Sequence, residues 1–143
     1  MKKSFTTNTE NQTINLGKEF AQELKHGSII GLSGDLGSGK TQFVKGLAQG
    51  LGINKSITSP TFVLLKPYHL PVASRQLIHI DCYRLSSPDE ILSMGLQEYI
   101  DQKNNIIAIE WADKIKSILS KDTIWVDFTL GTKASQRLIS IKS

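Results

Sequence analysis

The chain has 143 residues, a length that favours one domain around one hydrophobic core. Hydrophobic residues make up 39% and charged residues 21%, which is ordinary globular composition and excludes a disordered or fibrous chain. A net charge of +4, from 17 Lys and Arg against 13 Asp and Glu, is too mild to indicate a surface for direct nucleic-acid binding. The single cysteine, Cys82, excludes an intramolecular disulfide and a multi-cysteine metal site.

The chain carries no pattern for export or membrane insertion. No window approaches the ~18 consecutive apolar residues of a membrane span. The basic N-terminus, Met1-Lys2-Lys3, has no apolar stretch behind it, which argues against a signal peptide. We therefore expect a cytoplasmic protein that makes no membrane contact.

The N-terminal third predicts two helices and a buried strand. The polar opening through Gln12 is either a tail or a short edge strand. Apolar residues recur at helical spacing over residues 16–24, with Gly27 as a plausible stop. Residues 28–33 have the composition of a short buried strand, and the apolar pattern after Lys40 predicts a helix that ends near residues 50–52.

The rest of the chain continues to alternate strands and helices. Residues 61–65 and 76–83 are rich in β-forming residues, and the apolar run 106–111 is typical of a central parallel strand. Ser87-Pro88-Asp89-Glu90 predicts a helix start, with Ser87 as N-cap and Glu90 closing a capping box. We expect a short helix over residues 113–119 and an antiparallel pair, residues 123–130 and 136–142, that closes the sheet.

This order of elements predicts the fold class. Interleaved strands and helices indicate an α/β sandwich with a mixed, mainly parallel central sheet and a C-terminal antiparallel hairpin. We expect residues 1–143 to form a single domain in three layers. Ligands of such sheets bind beyond the carboxyl ends of the strands.

A glycine-rich stretch lies between the first predicted buried strand and the helix after it. Glycines let its backbone turn N–H groups toward phosphate oxygens, and the helix N-terminus adds positive dipole. Lys40 would bridge the β- and γ-phosphates, and the Thr41 hydroxyl would bind Mg²⁺. All fixed positions of the phosphate-loop pattern G-x-x-x-x-G-K-[ST] are matched by Gly34, Asp35, Leu36, Gly37, Ser38, Gly39, Lys40 and Thr41.

A phosphate-loop protein needs a carboxylate at the end of a buried strand to hold or orient Mg²⁺ and water, and this chain offers two. Asp81 ends one strand and Glu110 ends the more apolar one, so we expect Glu110 nearest the metal and the attacking water. Asp81 would act from the neighbouring strand, directly or through water. His79 shares a strand face with Asp81, and its plainest interpretation is a satisfied, half-buried histidine. Trp111 is interpreted as a packing residue.

A polar turn leads from the helix after Lys40 to Ser59-Pro60-Thr61-Phe62. P-loop proteins place at this point of the chain a mobile threonine segment that senses the γ-phosphate. A strand start fixed by Pro60 accounts for the same residues equally well, so both interpretations of Thr61 stay open.

Taken together, these motifs resemble one family. Along the chain the motifs are Gly-Asp-Leu-Gly-Ser-Gly-Lys-Thr at 34–41, Ser-Pro-Thr-Phe at 59–62, His-Ile-Asp-Cys-Tyr-Arg-Leu at 79–85 and Ile-Glu-Trp-Ala-Asp at 109–113. The chain is similar over nearly its whole length to the TsaE (YjeE) family of P-loop ATPases in bacterial tRNA threonylcarbamoyladenosine biosynthesis. The phosphate loop alone is unspecific, whereas the later motifs are highly specific.

The resemblance implies that residues 1–143 form a single P-loop ATPase domain with a P-loop NTPase-like fold, and it also implies an activity, cofactors and partners. ATP hydrolysis would reset a TsaB–TsaD complex that places threonylcarbamoyl on adenosine 37 of tRNAs reading codons that begin with A, with tRNA contacted only indirectly. Thr41 and Glu110 would hold Mg²⁺, Thr61 would belong to a switch segment, and Asp81 would support hydrolysis. Adenine would lie between the segment around Thr13 and the hairpin at 133–137, which includes Arg137.

Three other interpretations compete with this one. A GTPase would need an Asn-Lys-x-Asp segment, but Asn54-Lys55 is followed by Ser56-Ile57. A small-molecule kinase would need an acceptor pocket and usually an arginine-bearing lid, for which 143 residues and three arginines leave little. The third alternative is a nucleotide-gated binding module whose hydrolysis is incidental, and turnover with and without partners distinguishes it.

Overall fold

A seven-stranded sheet with helices on both faces organises the chain. The computed structural model describes residues 2–58, 65–71 and 75–143. Along the chain, the elements are β1 Lys2–Thr7, α1 Glu10–Ala21, β2 Ile29–Ser33, α2 Lys40–Gly50, β3 Leu65–His69, β4 Gln76–Asp81, α3 Pro88–Ser93, α4 Leu96–Asp101, β5 Ile106–Glu110, a 3₁₀ helix Ala112–Ile118, β6 Ile124–Leu130 and β7 Arg137–Lys142.

The strand order is β1-β7-β6-β2-β5-β4-β3. The four middle strands, β6, β2, β5 and β4, are parallel, while β3, β7 and β1 each pair antiparallel with their inner neighbour. The predicted mixed sheet with a parallel centre and a C-terminal hairpin is confirmed. Because the middle strands share one direction, β2, β4 and β5 all end at the same edge of the sheet.

Each face of the sheet carries its own hydrophobic core. One core packs α1 and α2 on residues such as Leu32, Leu77 and Val126. The other packs α3, α4 and the 3₁₀ helix on residues such as Ile80 and Ile109. The sheet and the helices on its two faces form the expected three layers. The two cores between these layers hold the strand ends in place.

Glycines let α1 and α2 approach closely. A Cβ at Gly46 would lie 1.8 Å from the carbonyl oxygen of Ile14, and one at Gly17 would lie 2.2 Å from that of Phe43. Real Cβ atoms do not come so near to backbone, so only glycine allows this contact. The close packing sets the position of α2, whose first residues are Lys40 and Thr41.

The N-terminal segment confirms one of its two predicted alternatives, because Lys2–Thr7 is a short edge strand, but its later boundaries differ from the prediction. Helix α1 begins at Glu10, with the Thr9 side chain accepting from the Gln12 N–H at 3.1 Å, so the polar opening is strand and helix rather than a tail through Gln12. The helix ends at Ala21, well before Gly27, which lies in the following turn. Strand β1 pairs with β7, so the C-terminal hairpin does not form the edge of the sheet.

The predicted capping box at residues 87–90 needs correction, and the predicted strand at residues 61–65 lies mostly outside the described residues. Ser87 is the N-cap of α3, but its side chain makes no capping hydrogen bond. Glu90 accepts instead from the Ser86 N–H at 2.8 Å, one residue earlier than a capping box requires. Of the predicted strand at residues 61–65 only Leu65 is described, and there it begins β3.

Candidate functional site

The glycine-rich loop joins the end of β2 to the start of α2. Gly34 has φ +145°, and a Cβ there would lie 2.6 Å from the carbonyl oxygen of Phe128 on β6. Gly39, with φ +105°, is the N-cap of α2 and adopts the left-handed conformation. Both positions need glycine, because another residue would be strained or would collide with β6. The loop therefore packs against the sheet edge and leads directly into the N-terminus of α2, the kind of helix end that binds anions.

Lys40 folds back over this loop. Its Nζ donates to the carbonyl oxygens of Gly34 at 2.5 Å and Asp35 at 2.9 Å, and it lies 4.0 Å from the ring centroid of Trp111. Burial lowers the pKa of Lys40, and the negative charges of Glu110 and Asp81 oppose that change. The loop thus holds a lysine whose ammonium is largely removed from water, beside the space that a phosphate would fill.

Glu110 joins the phosphate loop to the middle of the sheet. The Thr41 hydroxyl donates to its Oε1 at 2.8 Å, and His79 Nε2 lies 2.6 Å from its Oε2. Only 3% of Glu110 and none of His79 is exposed. Both carboxylate oxygens are therefore held by side chains from two other elements, α2 and β4.

Asp81 lies beside Glu110 in the register of β4 and β5. It is less buried, and its Oδ1 accepts from the N–H of Tyr83 at 2.9 Å. Burial raises the pKa of Asp81, the Tyr83 hydrogen bond lowers it, and the charge of Glu110 raises it further. The structure thus brings the two predicted acids together, in unequal surroundings.

A cleft of about 420 Å³ opens between the phosphate loop, the strand ends and the C-terminal hairpin. Thr13 is buried in its wall, with its hydroxyl 2.7 Å from that of Thr7. Arg137 donates from Nη2 to the carbonyl oxygen of Gly37 at 2.9 Å. Besides these two, the cleft is lined by Glu10, Leu36, Gly37, Ser38, Gly39, Lys40, Thr41, Gln42, Asp81, Tyr83, Glu110, Trp111 and Ser135.

The cleft includes residues that sequence reasoning missed. Trp111 is more than packing, because its ring lies under the Lys40 ammonium and contacts the Tyr83 ring, with centroids 5.0 Å apart and planes tilted by 41°. Its φ of +58° is strained for a tryptophan, and strain of this kind gathers at functional sites. His79 is fully buried rather than half-buried, and its spacing two residues before Asp81 was the available signal.

One arginine contact was not predicted from the sequence. In the structure Arg137 binds the phosphate loop itself. The predicted switch residue Thr61 lies outside the described residues.

The donor set suits a hard divalent cation. Thr41 Oγ1 and Glu110 Oε1 are hydroxyl and carboxylate oxygens 2.8 Å apart at the mouth of the loop, and Mg²⁺ is commonly held by one or two such groups together with substrate phosphates. Among the residues described, no group of three or more His, Cys, Asp or Glu side chains could hold a metal ion. Nor does any described helix have the length and apolarity to cross a membrane.

The loop, its lysine and threonine, and the acids on adjacent strands define an α/β nucleotide-binding protein with a P-loop-like fold. A model of the family described as Threonylcarbamoyl adenosine biosynthesis protein TsaE matches residues 7–139. The chain belongs to this TsaE family.

Individual relatives agree with the family match. A protein of Rickettsia typhi named tRNA threonylcarbamoyladenosine biosynthesis protein TsaE is 41% identical, over 96% of this chain and 92% of its own. One of the same name from Borreliella burgdorferi is 40% identical, over 93% and 94%. The crystal structure of Bacillus subtilis YdiB superposes with a TM-score of 0.81 at 29% identity, covering 99% of this chain and 84% of that one.

Proposed function

We propose that the protein is a Mg²⁺-dependent ATPase that supports threonylcarbamoylation of adenosine 37 in tRNAs reading codons that begin with A. It would act through ATP binding and hydrolysis on a TsaB–TsaD complex, in the cytoplasm, with tRNA contacted only indirectly. Membership of the TsaE family supports the pathway. The observation that carries the ATPase proposal is the hydrogen bond between Thr41 in the phosphate loop and the buried Glu110.

Binding of the phosphates falls to the loop and Lys40. The backbone from Gly34 to Gly39 and the N-terminus of α2 would offer N–H donors and positive dipole to phosphate oxygens. Lys40 would leave the carbonyl oxygens of Gly34 and Asp35 and turn to the β- and γ-phosphates. This exchange replaces neutral acceptors with charged ones, and hydrogen bonds to charged groups are the stronger kind.

We assign hydrolysis to the residues at the strand ends. Thr41 and Glu110 would hold Mg²⁺, and Glu110 would lie nearest the attacking water. The cation, when bound, neutralises charge that develops on the transferring phosphoryl group. Asp81 would support the reaction from the adjacent strand, directly or through a water molecule.

Adenine recognition and switching involve the periphery of the cleft. Thr13 and Arg137 both line it, which supports an adenine site between α1 and the C-terminal hairpin. Thr61 would belong to a segment that senses the γ-phosphate, by analogy with other P-loop proteins.

We infer that partners stimulate the enzyme. An arginine on the transferring phosphoryl group contributes roughly 10³–10⁵ in P-loop hydrolysis. Arg137 is engaged with carbonyl oxygens of the loop and hairpin, and Arg84 lies exposed past the end of β4. The isolated protein should therefore turn over slowly until partners order the switch segment or supply a charge.

The proposal is tested by reconstituting tRNA threonylcarbamoylation from purified TsaB–TsaD, tRNA and threonylcarbamoyl-AMP, with and without this protein. We expect repeated turnover only with the wild-type protein and ATP, and none with Lys40→Ala. Modification that continues past one turnover without this protein would contradict the proposed role. ATP-dependent complex formation without ATP hydrolysis would favour a nucleotide-gated binding module.

A further inference from the structure

His79 contributes the one buried imidazole that contacts the site among the residues described. Its Nε2 lies 2.6 Å from Oε2 of Glu110, and both side chains are buried. The opposite oxygen of the same carboxylate accepts from Thr41. A carboxylate accepts at both oxygens, so this arrangement assigns the proton of His79 to Nε2.

A packing role explains His79 poorly. Its Nδ1 is buried and has no hydrogen-bond partner in the described part of the chain. Leu77, two residues earlier, lies on the same strand face, and the register partner of His79 on β5 is Ala108. A leucine would fill such a position without an unpaired polar atom, whose burial is unfavourable. The residue type is therefore explained by the bond at Nε2.

We propose that His79 is a positioning residue for Glu110, an inference that rests on the proposed ATPase function. By donating to Oε2, it fixes the rotamer of the carboxylate and directs Oε1 toward Thr41 at the mouth of the phosphate loop. Without this donor, Glu110 keeps the Thr41 hydrogen bond but can rotate about its terminal torsion. A group that would bind a metal or a water molecule then becomes ordered only at additional entropic cost.

The chain offers well-matched variants for testing this role. His79→Leu removes the donor and leaves an apolar side chain of suitable size, whereas His79→Gln keeps an N–H group at similar reach. His26→Leu makes the same replacement at an exposed histidine that does not line the cleft. Glu110→Gln, alone and combined with His79→Leu, tests whether the histidine acts through the carboxylate.

The measurement is Mn²⁺ affinity by electron paramagnetic resonance with a non-hydrolysable ATP analogue, beside calorimetry of the analogue without metal. We expect His79→Leu to weaken Mn²⁺ binding by roughly tenfold, as for other groups that orient metal ligands. His79→Gln should recover most of the loss, and His26→Leu should match wild type. Affinity for the metal-free analogue should stay unchanged in all of them.

In the Glu110→Gln background, adding His79→Leu should change Mn²⁺ affinity by less than about twofold, because coupled residues are not additive. An equal loss in both backgrounds, or wild-type Mn²⁺ affinity in His79→Leu, would overturn the positioning role alone. A wild-type protein that binds neither the analogue nor Mn²⁺ with it would instead contradict the proposed function.

Discussion

The ends of β4 and β5 are neighbours in the sheet, yet they hold their acids differently. Asp81 and Glu110 are register partners on parallel strands. Glu110 is buried and held at both oxygens by side chains, Thr41 on α2 and His79 on β4. Asp81 is partly exposed and accepts from the N–H of Tyr83 in its own turn. Equal positions in a sheet therefore give unequal acids, because tertiary contacts set how each one is held.

This difference predicts different roles. A carboxylate fixed in a dry site needs little reorganisation when charge develops in a transition state. One that borders solvent can be replaced in part by water. Glu110 at the end of β5 should therefore be the principal carboxylate in ATP hydrolysis, and Asp81 at the end of β4 should assist it.

The largest effect should follow Glu110→Gln, which keeps the size of the side chain and removes its charge. We expect ATP hydrolysis to fall by at least about 100-fold, the scale seen when one fixed electrostatic group is lost. ATP affinity by calorimetry should stay within a few-fold of wild type, because the group acts mainly on the transition state. Hydrolysis at the wild-type rate would transfer the principal role to Asp81.

Lys40→Ala should have the next largest effect. This ammonium lies among the charges of both acids, Glu110 more strongly than Asp81. Loss of its charged hydrogen bonds should weaken ATP binding by roughly 10- to 100-fold. Lys18→Ala, an exposed change on α1, is the matched control for calorimetry. Unchanged ATP affinity in Lys40→Ala would argue against phosphate binding by this loop.

Arg137→Ala should have a smaller effect. The change removes one donor from the carbonyl oxygen of Gly37 and so loosens the loop at that residue. We expect ATP affinity to fall about two- to tenfold, the net value of one hydrogen bond, and Arg137→Lys to recover part of it. A loss as large as that of Lys40→Ala would mean that Arg137 contacts the nucleotide charge directly.

The smallest effect is on stability, and it sharpens the contrast between the acids. The raised pKa of Asp81 means that the folded state binds its proton more tightly than the unfolded chain. Stability from this group is therefore present below its unfolded pKa and is lost as pH rises through the raised folded pKa. Without nucleotide or metal, Asp81→Asn should melt above wild type at pH 7, and the gap should shrink at acidic pH. A lower melting temperature at pH 7 would contradict this.

Much of the site could be predicted from the sequence because its signals are local. The phosphate loop is a contiguous pattern, and Asp81 and Glu110 each follow a recognisable apolar run. Parallel strands bring such ends to one edge, so the two acids could be expected near Lys40. The order of strands and helices likewise predicted the layered fold.

The missed features depend on contacts between distant segments. Arg137 reaches Gly37 only because β7 folds back beside β6, 100 positions further along the chain. Edge pairing of β1 with β7 joins the two ends of the chain and leaves no mark in either segment alone. The bond from His79 to Glu110 crosses from β4 to β5, so an isolated strand pattern could show only a buried histidine.

The most direct test is the steady-state ATP turnover of the wild type, Glu110→Gln and Asp81→Asn, each with saturating Mg²⁺–ATP and a TsaB–TsaD complex. If the β5 end carries the chemistry, Asp81→Asn should retain at least about ten times the turnover of Glu110→Gln. Equal losses in the two variants, or a larger loss in Asp81→Asn, would contradict the account.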